Sequence, residues 1–551
     1  ILWLLLIGIT TDYVGSMMGL SYLFLEPEYI NRVNIWSLFI LGITLGGFTM
    51  SYHITCYILD SHRFGFLGHL RYPFFKYCIN NSFFPVAFLF IYLWEFVAFE
   101  RESAIESEIW WNVSGFLGGF SLMCGFFFLY FFLTNKDIFK ILKKASDGLN
   151  VSLRKTKIAK INIKDRYDAA RKDKTRVDYY FASPIHYKRV KEMIGIDKAA
   201  LMKVFSQNHF NAVIIQSTIF IAVMILGYFE ENPYFQIPAG ASLVLLLTLV
   251  VMFVGAFTFW LKSWVITALI ILLIGFNVVT KRDWFNQAYE VYGINYETPK
   301  RPEYSTKMVR DNVNDENFKQ DYNETIKTLD NWRAKFPKKE PPKMVFICSS
   351  GGGQRASVWT MRTLQYVDST LGGQLMNHTI LMTGASGGLV GAAYFRELYL
   401  RQQQGEKIDI YANEYFENIA RDNLNAITFS WVVNDIFFRF QKFNYKGRTY
   451  FKDRGYAFEQ QLNENTAGVL NKSLGDYREP ERQGLIPMMV LSPTIVNDGR
   501  KLYISPQQMS YMCTPSIFQS RFLNQKVKGI EFLRFFKDQE SDNLRFLSAL
   551  R

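Results

Sequence analysis

The residues able to do covalent chemistry are concentrated between positions 344 and 403. Thr379-Ile380-Leu381-Met382-Thr383 reads as a strand and runs into Gly384-Ala385-Ser386-Gly387-Gly388, followed by a helical pattern through Leu400. A GxSxG pentapeptide between strand and helix is a nucleophile elbow, in which small neighbours let a strained serine project its hydroxyl at a helix N-terminus. Ser386 is the candidate nucleophile, and Gly384 and Gly388 are the flanking small positions. Upstream, the apolar run Met344–Cys348 leads into Ser349-Ser350-Gly351-Gly352-Gly353-Gln354-Arg355 and a helical pattern to about Leu371. Strand, glycine turn and helix start aim several backbone N–H groups at one point, which suits an anion or the oxyanion of an acyl-transfer intermediate. A nucleotide-phosphate loop is the rival reading, but it lacks GK[ST], and GxGxxG fails at Ala356.

The general base narrows the chemistry. An α/β-hydrolase triad follows the order Ser, Asp or Glu, His. The last histidine here is His378, upstream of Ser386, so a Ser-Asp dyad remains.

With these motifs the chain resembles the patatin-like phospholipase family, in particular membrane-embedded bacterial-type members with N-terminal transmembrane helices. That family joins a GGGx[KR]G oxyanion loop to a GxSxG serine and takes its base from a later Asp-Gly-[Gly/Ala] turn. The resemblance is closest from Met344 to about Gln403 and looser beyond. It implies a nucleophile at Ser386, an oxyanion hole from Gly351, Gly352 and Gly353, and an electrostatic role for Arg355. It also implies a three-layer α/β domain with a mostly parallel central sheet, phospholipase A-type hydrolysis of an acyl-ester lipid, and no metal or organic cofactor. Ala356 departs from the pattern, since the family usually has glycine there. Asp498-Gly499 is the only Asp-Gly after Ser386, but it precedes Arg500 and separates apolar runs, which reads as a turn joining two strands. The final Phe546–Arg551 stretch resembles the segment that precedes the family's aspartate turn, so the base is expected beyond residue 551, with Asp498 the lesser candidate. Two alternatives stay open: lipid acyl transfer through the same acyl-enzyme, and an inactive hydrolase domain serving as a binding scaffold.

The elements that must carry this site divide the chain. Its 551 residues are 49% hydrophobic, 17% aromatic and 20% charged, which excludes a disordered or collagen-like chain. Apolar runs fall at Ile1–Leu25, Val33–Leu59, Phe83–Phe99, Ile109–Thr134, Phe210–Phe229, Ala239–Leu261 and Ser263–Val279. A helix needs ~20 residues to cross ~30 Å of hydrocarbon, so most of these qualify. The last two would be too long as one helix and are read as two elements meeting near Lys262. The chain opens inside an apolar run with no basic leader, as expected of a piece of a longer protein. The expected organisation is transmembrane helices over 1–134, a basic loop over 135–207, transmembrane or re-entrant helices over 208–280, a connector over 281–342 and the hydrolase domain over 343–551.

The net charge of +13 is uneven: −4 over 1–134, +11 over 135–207, −1 over 208–280 and +7 over 281–551. A basic excess between apolar runs marks the cytoplasmic side. This places the 135–207 loop in the cytoplasm, and the short Ser263–Val279 run, read as interfacial or re-entrant, keeps the hydrolase domain there too. The expected location is a bacterial inner membrane. Partners are the membrane and an acyl-ester lipid, without nucleic acid; a homo-oligomer or a membrane-protein partner stays open.

Other features carry bland readings. The five cysteines Cys56, Cys78, Cys124, Cys348 and Cys513 show no paired spacing and read as reduced, buried thiols, and the six histidines form no HExxH. Asp12, Glu95 and Lys262 read as helix ends or interhelical hydrogen-bonding groups. Gly42, Gly46 and Gly47, with Gly115, Gly118 and Gly119, form small-residue faces for close helix packing. The apolar stretch from Ala426 to Phe440 is either a core helix or a membrane-facing cap.

Overall fold

The computed structural model describes residues 1–102, 104–134, 177–190, 198–261, 264–281, 289–338, 340–436, 441–513 and 527–551. They form two compact units, one of Ile1–Gln287 with Leu424–Phe438, the other of Ala288–Asn423 with Arg439–Arg551. Most of the basic loop and the junction at Lys262 lie outside the described residues.

The first unit is built from helices α1 (Leu2–Thr10), α2 (Tyr22–Leu25), α3 (Ile35–Asp60), α4 (Pro73–Asn80), α5 (Phe83–Glu100), α6 (Glu106–Thr134), α7 (Lys198–Tyr228), α8 (Ala239–Leu261) and α9 (Val265–Lys281). Among the described residues, four stretches are long and apolar enough to cross a membrane: Ile35–Asp60, Phe83–Glu100, Glu106–Thr134 and Ala239–Thr258. Val213–Tyr228 and Ile266–Gly275 are shorter.

The run Ile1–Leu25, expected as one span, is broken. Asp12 at φ 61°, Gly15 at φ 79° and Gly19 at φ 67° turn the chain between α1 and α2, and the Asp12 carboxylate accepts a hydrogen bond from Ser21 Oγ at 2.8 Å. Asp12 thus serves a turn at a helix end. At α3, Asn34 Oδ1 accepts from Trp36 N and Ser37 N, which satisfies two of the N–H groups that a helix leaves unpaired at its start.

The small-residue faces do pack α3 against α6, through four of the six glycines. A Cβ on Gly42 would strike the Phe116 carbonyl, and one on Gly119 the Phe39 carbonyl; Gly46 and Gly115 are similarly close to Phe120 O and Ile35 O. Gly47 and Gly118 meet side chains only at ordinary contact distance. The strands β1 (Tyr179–Ser183) and β2 (His186–Arg189) form an antiparallel hairpin within the basic loop. Asn80 of α4 pairs with both backbone groups of Phe181 at 2.9 Å, and Lys76 Nζ donates to the Ala182 carbonyl.

The segment after Asn423 takes the core-helix reading of the two, over its described residues; positions 437–440 lie outside them. Leu424–Ser430 is helical and continues as a wide turn through Asp435. Phe429 and Val433 pack with Val223 of α7 and Leu249 of α8, while Asn425 accepts from Ala239 N and donates to Glu28 O. It is a core element of the apolar-helix unit.

The second unit contains α10 (Asp315–Arg333), β3 (Val345–Ser349), α11 (Gly353–Thr370), β4 (Thr379–Gly384), α12 (Ser386–Gln403), the hairpin β5 (Lys442–Tyr445) and β6 (Arg448–Phe451), α13 (Arg454–Asn465), β7 (Met488–Val490), β8 (Lys501–Tyr503), β9 (Gly529–Glu531) and α14 (Phe546–Leu550). The central sheet has three parallel strands in the order β3-β4-β7, and β8 pairs β9 in a separate parallel pair. Helix α12 is the buried spine, with Ala392, Phe395 and Leu398 all excluded from solvent. Val291, Ile294 and Tyr296 join the same core, so the connector's start belongs to this unit. Cys348, expected to be buried, is exposed because it alternates along β3 onto the same open face as Phe346, and Cys56 and Cys124 are only half-buried.

One ion pair ties α12 to β7. Arg396 and Glu481 are buried and joined side chain to side chain; Arg396 Nε also donates to Pro487 O at 2.9 Å, and Glu481 accepts from Met489 N at 2.9 Å. Removing one member strands the other charge, which costs about 3–5 kcal/mol. Glu481→Gln is therefore expected to lower thermal stability sharply, and the double variant Arg396→Met/Glu481→Leu to recover most of the loss. Unfolding of the detergent-solubilised chain checks both; equal destabilisation by single and double variants would deny the pairing.

Candidate functional site

β4 delivers the chain to Ser386. Its register with β3 places Thr383 opposite Cys348 and Gly384 opposite Ser349, and Thr383 Oγ1 donates to Val490 O of β7 at 2.8 Å. Ala385 is extended, at φ −137° and ψ 146°, and Ser386, the first residue of α12, sits at φ 51°. That left-handed conformation is strained for a residue with a Cβ, and such strain at a strand-to-helix turn is what pushes a nucleophile out of the chain. Ser386 is exposed, and among the described residues its hydroxyl has no hydrogen-bond partner.

The glycine loop arrives alongside. Gly352, at φ 148°, precedes α11, and Gly353 follows at φ 60°. A Cβ on Gly351 would lie 3.4 Å from Ser386 Cβ and 3.7 Å from Ala385 O. Two helix N-termini, those of α11 and α12, therefore meet at the serine, each with unpaired N–H groups and a partial positive charge. Gln354 holds the loop in place: Nε2 donates to Ile419 O at 2.5 Å and Arg421 O at 3.0 Å, while Oε1 accepts from Asn423 Nδ2 at 3.4 Å. Arg355 follows in the first turn of α11 and is exposed.

Backbone contact makes this closeness possible. Any Cβ on Gly384 would crowd Ser349 O at 2.5 Å, one on Gly388 would strike Ser350 O, one on Gly387 would strike Gly353 O, and one on Gly391 would strike Ser357 O. Gly384 and Gly388 are thus obligatory. Gly387 and Gly391 matter equally and were not singled out from the motif. Their signal was available: positions 387, 388 and 391 share one face of a helix.

Asp498 occupies a different kind of place. Ile495 N donates to Arg500 O at 2.7 Å and Gly499 N to Ile495 O at 2.9 Å, closing a reverse turn with Gly499 at φ 78°; Thr494 and Lys501 bridge across it. The Asp498 carboxylate accepts from Arg500 N at 3.1 Å and from Tyr304 OH at 2.8 Å, and lies 3.3 Å from the Arg500 guanidinium. The Arg500 N–H holds this carboxyl below its ordinary pKa, helped by the Tyr304 hydroxyl and the Arg500 charge. Because the folded-state value is depressed, the turn's contribution to stability is present above the unfolded carboxylate's pKa and is lost as pH falls through the folded one. Asp498→Asn is expected to weaken that acid-side loss and leave ester turnover near the parent level. A folded variant as inactive as Ser386→Ala would instead make Asp498 the base.

The arrangement can present a serine oxygen to a carbonyl while backbone N–H groups wait for the oxyanion. Among the described residues no group of His, Cys, Asp and Glu has a metal-binding arrangement. No family model matches the chain, and neither the curated proteins nor the solved structures contain a significant match to it.

Proposed function

We propose that the chain is a membrane-bound serine hydrolase of lipid acyl esters, similar in mechanism to patatin-like phospholipases. The observation that carries this reading is Ser386, held at φ 51° at the head of α12 with the Gly351–Gly353 loop against it. A binding scaffold has no use for a strained, exposed serine between two converging helix N-termini. The four membrane-length helices supply a reason for a lipid substrate.

In the proposed reaction Ser386 Oγ attacks the ester carbonyl and gives its proton to an aspartate, the base that the family resemblance supplies. Backbone N–H groups of the glycine loop and of the α12 start hold the oxyanion. The carbonyl carbon's bond to the alcohol oxygen breaks, and the protonated alcohol, a lysolipid, leaves an acyl-Ser386 ester. Water then attacks that ester with the aspartate as base, releasing the fatty acid and restoring Ser386. The finer architecture proposed is the three-layer patatin-like domain, and the proposed setting is the cytoplasmic face of a bacterial inner membrane.

Mass mapping after treatment of the solubilised full chain with a fluorophosphonate tests the reading. Modification at Ser386, together with fatty-acid release from phospholipid vesicles, is expected. Modification elsewhere, or none, would overturn it.

A further inference from the structure

The first unit holds an apolar cavity of about 560 Å³ between α4 and the end of α6. Its size falls in the range of roughly 300–1,000 Å³ typical of small-molecule sites. Phe74 and Phe131 are buried and in ring contact, 4.1 Å between centroids, while Tyr72 stacks on Phe132 at 4.9 Å and Phe75 meets Phe128 edge-on at 5.2 Å. Phe75, Leu129 and Phe132 are exposed on a unit whose neighbouring surface is apolar helix, so the cavity opens onto an apolar surface. Such a space stays dry, and acyl chain is the material available to fill it.

A charge sits beside it. The Arg71 guanidinium lies over the Tyr72 ring, 5.1 Å from its centroid, and Tyr72 lines the cavity. Tyr72 is itself turned at φ 56° ahead of Pro73, the conformation that starts α4 there. Arg71 is exposed, and among the described residues no carboxylate pairs with it. Lys76 and Lys188 add two further cations near the same helix, and α6 ends at Thr134, directly before the basic stretch that starts at Lys136. Apolar space next to the Arg71 cation, at the end of a membrane-length helix, fits one amphiphile, a phospholipid with an anionic head.

We infer that this cavity binds one acyl chain of an anionic phospholipid whose phosphate rests on Arg71. This site is independent of Ser386: it retains lipid and does no chemistry on it. Basic side chains at a membrane surface are each worth roughly a fivefold preference for anionic lipid.

The test reconstitutes the full chain in phosphatidylcholine bilayers doped with phosphatidylglycerol that carries a photoactivatable diazirine on one acyl chain. Saturable labelling within residues 72–75 and 128–132 is expected, competed by unlabelled phosphatidylglycerol about fivefold better than by phosphatidylcholine. Leu129→Trp, which fills the space, should cut labelling at least about fivefold, and Leu129→Phe serves if the larger residue prevents folding, judged by circular dichroism and a monodisperse elution profile. Arg71→Gln should remove the headgroup preference while leaving labelling in place. Labelling that does not saturate, that spreads evenly over the other apolar helices as for ordinary surrounding lipid, or that ignores the cavity-filling variants would overturn the assignment.

Discussion

Ser386→Ala is expected to abolish fluorophosphonate labelling and to lower ester turnover at least about 10⁴-fold, the scale of loss when a nucleophile acting as a unit with its base is removed. The fold should survive, because the serine hydroxyl makes no hydrogen bond among the described residues and alanine meets the same φ of 51°. Ser386→Gly separates chemistry from conformation. Glycine enters the left-handed region freely, so this variant should be as inactive as alanine yet more stable than the parent, by about 1–2 kcal/mol, the cost of holding a Cβ there. Thermal unfolding and phospholipid hydrolysis, measured on the same preparations, give both values. Retained labelling in Ser386→Ala would remove the nucleophile assignment; equal stability of the glycine and parent proteins would remove the strained elbow.

Gly387→Ala should be the second most damaging change, although the hydroxyl proposed to attack is untouched. Its Cβ would occupy the space of the Gly353 carbonyl oxygen, backbone that cannot rotate away. The glycine loop must therefore shift relative to Ser386. A displacement of about 1 Å at a reacting centre costs roughly 10²-fold, and loss of one oxyanion donor about 10²- to 10³-fold. Turnover per folded molecule is expected to fall by that amount, while the fluorophosphonate still reacts slowly at Ser386. Gly391→Ala provides the comparison: its Cβ would strike Ser357 O, one helical turn further from the serine. That variant should lose stability and keep most of its turnover per folded molecule. If Gly387→Ala behaved like Gly391→Ala, the loop would be a packing device without an oxyanion role.

The sequence by itself determined the features that repeat over short distances along the chain. Apolar runs gave the membrane-length helices at α3, α5, α6 and α8, because a buried or lipid-facing helix needs no partner to announce its hydrophobicity. The alternation from apolar run to glycine turn to helix at Met344–Leu371 and Thr379–Leu400 located β3, α11, β4 and α12, and glycine at the turns marked where backbone must bend sharply. The Asp498-Gly499 turn was legible for the same reason.

Tertiary structure decided what depends on residues far apart in sequence. The break after Thr10 falls where Thr11, Asp12, Gly15, Ser16 and Gly19 interrupt an otherwise apolar run, but a run that stays apolar on both sides also reads as one span, and only the folded backbone shows that these residues turn it. The stretch from Leu424 to Phe438 has the apolarity of any core helix; only its packing against Val223 and Leu249 assigns it to the apolar-helix unit. Val291, Ile294 and Tyr296 looked like connector because three apolar residues among polar ones have no period, yet the buried core they fill comes from residues far along the chain, from Met361 onward. The roles of Gly387 and Gly391 were unreadable for a related reason. A glycine in sequence states only that a Cβ is missing, and it is the Gly353 and Ser357 carbonyls, brought up by the packing of α11 on α12, that say why none can be there.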